Sequence, residues 1–107
     1  MAEGRDGARC PSGRQHEMRS GEQRVVVVSV GGGIREYEVA GTPLLDGYAV
    51  DAMADGGRGQ LLAPWPNRIR DGRYRWDNRE LQLALTEPDK GHAIHGLARW
   101  MPWETAS

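Results

Sequence analysis

Residues 63–85 read APWPNRIRDGRYRWDNRELQLAL, and the class of the fold turns on how this stretch divides. Arginines at 68, 70, 73 and 75 are interleaved with Trp65, Tyr74 and Trp76. Mixed on one exposed face, cations and aromatics grip nucleic acid, the cations meeting phosphates and the rings stacking on bases. In a strand, however, successive side chains leave on opposite faces. Tyr74 and Trp76 then take one face and Arg73 and Arg75 the other. Asp77-Asn78 supplies a two-residue turn, asparagine tolerating the left-handed backbone that such turns need. Leu81, Leu83 and Leu85 follow in alternation with Glu80, Gln82 and Ala84. The aromatics align with this leucine face, as core residues do. Arg70, Arg73 and Arg75 make a solvated outer face, with Asp71, Asp77 and Glu80 as acidic neighbours.

Arg68 stands apart. It lies beside Asn67 at the mouth of a loop in which Pro64 and Pro66 forbid regular pairing. Adjacent amide and guanidinium donors in a loop can hold a polar ligand.

Upstream, Val25 to Val30 (VVVVSV) reads as a largely buried strand, valine being β-branched. Gly31-Gly32-Gly33 then supplies the positive-φ positions of a hairpin turn. No G-x-G-x-x-G or G-K-[ST] follows and the next element is a strand, so this is no phosphate loop. Between Arg35 and Val39, Tyr37 and Val39 share one face, Glu36 and Glu38 the other. The spacing of Ala49, Val50, Met53 and Ala54 predicts one helical turn between Gly47 and Gly57. Downstream, GHAIHG (91–96) reads as irregular, and 100–103 as the opening of a further strand.

The bulk numbers narrow the function. A chain of 107 residues makes one small domain at most. A net charge of −1 provides no long-range field for polyanions, which argues against nucleic acid as a partner. Arg58 to Arg79 nevertheless holds six arginines against Asp71 and Asp77, while Glu36 to Asp55 holds five acids and no base. A fold joining the two would neutralise much of the local excess. Cys10 is the only cysteine, so no internal disulfide forms and a reducing, cytoplasmic setting fits. Charged residues interrupt any leader-like run near Met1, and no apolar run is long enough to span a bilayer. His92 and His95 are three apart but lack the further ligands a metal needs. Two histidines between glycines are more useful as hydrogen-bonding groups; for His92 a solvated side chain is expected.

Residues 64–100, PWPNRIRDGRYRWDNRELQLALTEPDKGHAIHGLARW, together resemble the aldose 1-epimerases, the galactose mutarotases. The resemblance lies in an N-R-I element (Asn67-Arg68-Ile69), a D-G-x-Y hairpin (Asp71 to Asn78) and an N-x-[IL]-H-G-like element (His92 to Gly96). The glycine turn and strands upstream extend it to about residues 13–103. His92 stands where the family usually has asparagine, and Asn78 where glycine is common.

The resemblance implies an all-β fold, an antiparallel β-supersandwich with an open cleft for a hexose, and no cofactor. It implies that Arg68 and His95 contact the sugar, with Asn67 as companion. The family's general acid, a histidine, and its general base, a glutamate, lie beyond the H-G element, and no residue of this chain matches them. The expectation is therefore a flexible tail over residues 1–12, and over 13–107 the N-terminal part of a mutarotase-like sandwich. Such a part would hold sugar contacts without the catalytic pair, and be inactive by itself. A non-catalytic sugar-binding module and a hexose-phosphate 1-epimerase relative are the alternatives. A part-sandwich also leaves an apolar face uncovered, which favours aggregation.

Overall fold

The computed structural model describes residues 10–106, and all of their regular structure is strand. The described residues form two units, one of residues 10–61 and 98–106, the other of residues 62–97.

In the first unit four strands form one antiparallel meander: β1 (Gln15–Ser20), β2 (Gln23–Val28), β3 (Ile34–Val39) and β4 (Thr42–Pro43). Period-two burial runs along β2, where Val26 and Val28 are buried and Val25 and Val27 only half so. The valine run is thus a one-sided strand, not a wholly buried one. Ala40-Gly41, both at positive φ, closes the β3–β4 hairpin. The triple glycine is the hairpin turn its sequence predicts. Val28 N–H donates to the Gly33 carbonyl, and Gly31 and Gly32 take positive φ. Gly31 also needs its missing Cβ, because a side chain there would overlap the Arg99 carbonyl.

Register slips between Val26 and Val27 against β3, where Val26 faces Glu36 and Val27 faces Ile34. Arg35 is the extra residue of this bulge. It is buried and tied down, its Nε donating to Gln15 Oε1 at 2.7 Å and Nη1 to the Tyr48 carbonyl at 2.9 Å. Gln15 in turn donates to Ser12 Oγ at 2.9 Å. Of the expected tail, residues 1–9 lie outside the described residues. Ser12, at 1% exposure, belongs to the fold and fills space beneath Gln15.

Glu36 and Glu38 share a face as alternation requires, and both meet Arg24 on the neighbouring strand. Arg24 also holds Glu17 of β1 at 2.6 Å, so one guanidinium links three strands. The predicted helical turn does not form. Residues 47–57 keep one i to i+3 bond, Ala52 N–H to the Ala49 carbonyl, with positive-φ Gly56 and Gly57 ending any continuation. The strand expected at 100–103 is reduced to a single bridge between Val30 and Pro102.

In the second unit β6 (Arg73–Trp76) and β7 (Arg79–Gln82) pair in the predicted register, with Tyr74 facing Leu81 and Trp76 facing Arg79. Asp77 and Asn78, at φ 52° and 59°, make the turn. The aromatic face does not behave as core: Tyr74 is 41% and Trp76 71% exposed. A two-stranded ribbon covers neither of its faces, so alternation sorts the side chains without burying them.

The second pair joins β5 (Arg68–Arg70) to β8 (His92–Ile94), antiparallel, with Arg68 opposite Ile94 and Arg70 opposite His92. GHAIHG is therefore not irregular, since its centre is the strand that receives N-R-I. Ala93 and Ile94 are the buried side chains of this unit.

Arg58 meets the acidic run within its own unit, at Asp46 and Asp55. Arg68 finds Glu87, and Arg73 leans on Gln82 Oε1 at 3.2 Å. No helix of the described residues is long and apolar enough to cross a membrane.

Candidate functional site

The three sequence-predicted residues meet at one end of the β5–β8 pair. Asn67 precedes β5 and His95 follows β8, so their pairing continues the ladder one step past Arg68 and Ile94. Both take left-handed backbone, at φ 59° and 60°. Asparagine and histidine are among the few non-glycine residues that enter that region with some frequency. The bonding between them is mutual. His95 N–H donates to the Asn67 carbonyl at 2.9 Å, and Asn67 N–H donates to His95 Nδ1 at 3.0 Å.

This second bond selects the tautomer. A ring nitrogen that accepts from an amide carries no proton, so the neutral imidazole bears its hydrogen on Nε2. His95 thus carries its ring hydrogen on Nε2.

Gly96 explains the H-G pairing. It sits at φ 73°, where a side chain would overlap the backbone of Ala63. That close approach lets Leu97 N–H donate to the Ala63 carbonyl at 2.7 Å. The proline-bearing loop, with a cis Ala63–Pro64 peptide, is thus fastened directly behind His95.

Arg68 is the first residue of β5, not a loop residue, and it is bound. Its Nε donates to Glu87 Oε1 at 2.5 Å and its Nη2 to Glu87 Oε2 at 3.0 Å, a fork-to-fork pair. The hydrogen bonds to Glu87 hold the Arg68 guanidinium above its ordinary range, and those from Arg68 hold the Glu87 carboxyl below its own. Glu87 escaped sequence reasoning because it lies 19 residues from Arg68. The only hint was its place just before the H-A-I-H-G element.

Glu87 is placed by backbone. It exchanges hydrogen bonds with His92, on the side of β8 away from β5. Thr86 Oγ1 accepts from Ile94 N–H at 2.9 Å on that same side. β8 therefore lies between the strand carrying Arg68 and the segment carrying Glu87, and the ion pair crosses it.

His92, expected to be solvated, is half-buried, and its Nδ1 accepts from Asp71 N–H at 3.1 Å. Asp71 also has positive φ, 56°. Each histidine of the H-A-I-H element thus caps a left-handed residue flanking β5, His95 at its start and His92 at its end. Among the described residues no group of three or more His, Cys, Asp or Glu side chains is arranged to hold a metal.

A family model described as Aldose 1-epimerase matches residues 14–107. The uncharacterized protein YihR of Escherichia coli K12 is 36% identical over 93 residues, 87% of this chain and 30% of that protein. A crystal structure of a putative aldose 1-epimerase from Escherichia coli K12 superposes with a TM-score of 0.72 at 26% identity, over 87% of this chain and 32% of that one. A galactose mutarotase-like protein from Clostridium acetobutylicum shares the fold, with a TM-score of 0.63 at 22% identity over 78% and 27% of the two chains. The chain spans about a third of the length of these relatives. With the all-β antiparallel fold, the paired N-R-I and H-G elements and a family match over nearly its whole length, the chain belongs to the aldose 1-epimerase family.

Proposed function

We propose that this chain carries the sugar-gripping edge of an aldose 1-epimerase-type isomerase, one that interconverts the α and β anomers of a hexose such as galactose or glucose. The observation that carries this reading is the reciprocal bonding of Asn67 and His95 beside Arg68. It brings an imidazole and a guanidinium together at adjacent ends of two paired strands.

The chemistry suits such donors. Anomer exchange needs a base to take the proton of the anomeric hydroxyl and an acid to protonate the ring oxygen, so that the ring opens. Rotation about the first carbon–carbon bond and reclosure complete it. His95 Nε2–H and the remaining Arg68 N–H groups orient hydroxyls and ring oxygen during these steps. Neither matches the family's acid or base, and the expected behaviour of the 107-residue chain is to bind sugar without turning it over.

The test is an NMR titration of the chain with galactose and with glucose, using Arg68→Ala as control, beside polarimetry of α-galactose. Shifts centred on residues 67–70 and 92–96 that Arg68→Ala removes, with no optical-rotation rate above buffer, are expected. Unchanged spectra would remove the sugar reading, and a catalytic rate would remove the assignment of turnover to residues outside this chain.

A further inference from the structure

Every cation in a sugar site poses a question of charge. A neutral hexose and a hexose phosphate offer the same hydroxyls, but the phosphate adds two negative charges that an unpaired arginine attracts strongly. Arg68 is not unpaired. Two of its five N–H donors are taken by Glu87, whose side chain is only 17% exposed while that of Arg68 is 41% exposed. The covered partner is therefore the carboxylate, and the open edge is the guanidinium's remaining donors. Asp89 adds further negative potential at Arg68, and Lys90 adds positive potential at Glu87.

We infer that Glu87 is a positioning and specificity-determining residue: it holds the Arg68 guanidinium across β8 and cancels its charge, so that the site takes a neutral hexose and rejects a hexose phosphate. This rests on the proposed sugar site at Asn67, Arg68 and His95.

Two features separate this pair from an ordinary surface ion pair. Its geometry is bidentate, which fixes the plane of the guanidinium as well as its position. Its acidic partner is anchored by backbone, through the Glu87–His92 bridge and the Lys90 and Gly91 amides that donate to the Glu87 carbonyl. Holding one long side chain against an anchored partner leaves less freedom to lose when a ligand arrives. The three remaining Arg68 donors then meet hydroxyls in a fixed plane. A phosphate brought to the same edge would lie a few ångströms from the Glu87 carboxylate, and like charges at that range repel even near a surface.

The experiment measures dissociation constants of the 107-residue chain for galactose and for galactose 6-phosphate, by NMR titration at low salt. In the unaltered chain galactose binds more tightly, and this comparison needs no variant. Glu87→Gln, which keeps the shape and removes the charge, weakens galactose and strengthens the phosphate ester, moving the preference by roughly tenfold toward the ester. Glu87→Asp keeps the charge at shorter reach, so it weakens both ligands and leaves the preference for galactose. Preference for the ester in the unaltered chain overturns the inference. So does a preference ratio unmoved in Glu87→Gln, although galactose binding would then leave the sugar site standing. Binding of neither ligand by the unaltered chain overturns both.

Discussion

Asn67 and His95 stabilise one another's left-handed backbone through two hydrogen bonds, one from each amide. Removing the imidazole leaves the Asn67 amide without its acceptor. His95→Ala is expected to speed hydrogen exchange at the Asn67 amide and to weaken galactose binding by roughly tenfold or more. Unchanged exchange at Asn67 would show that the ring is not what holds that turn.

Gly96 sits where an L side chain meets both an unfavourable φ and the Ala63 backbone. Gly96→Ala should cost more than about 2 kcal/mol of stability, from the left-handed backbone and the displaced loop together. Urea unfolding followed by tryptophan fluorescence reads this, and a loss under half that size would refute the close approach.

The Glu87 carboxyl is held below its ordinary value of 4.5 by the hydrogen bonds of Arg68. A group depressed in the folded state contributes stability above its unfolded value and loses it as pH falls through the folded one. The Arg68–Glu87 pair is therefore expected intact above pH 4.5 and to open progressively below it. The Arg68 Nε–H resonance, followed by NMR, should shift only in that acid range. A shift centred at neutral pH would contradict the assignment.

Val28 is 2% exposed at the end of β2, and its two methyl groups lie in the small core of the first unit. Val28→Ala is expected to destabilise by about 2 kcal/mol, from lost burial and the cavity left behind. Val27→Ala, one residue away and on the half-buried face, should cost less. Equal costs would deny the period-two burial.

Trp76 is 71% exposed on a ribbon whose aromatic face is bare. Trp76→Lys should reduce self-association in sedimentation experiments while changing stability by no more than about 0.5 kcal/mol. A large loss of stability would mean that the ring is packed after all.

Much of this was legible beforehand where the cause is local. Two-residue alternation marked Arg73 to Leu85 as a hairpin, and Asp77-Asn78 marked its turn, because both depend only on neighbouring residues. The weak i, i+3, i+4 pattern at 49–54 misled, since glycines on both sides cap a helix before it can nucleate. Burial of the aromatic face misled for another reason. Alternation tells which residues share a face, while only a second layer decides whether that face is covered.

The sequence by itself determined that the chain is antiparallel β, where its turns fall, and which residues resemble a sugar site: Asn67, Arg68 and His95. Tertiary structure alone decided how those residues are held. The β5–β8 register brings Asn67 to His95 across 28 positions, and the Glu87–His92 bridge brings a carboxylate to Arg68 across 19. Contacts at such separations follow from strand pairing and not from local preference, so no reading of neighbours reveals them. The arginine that stood apart in the sequence, beside Asn67 at the mouth of a loop, proves to be held by a distant carboxylate through two hydrogen bonds.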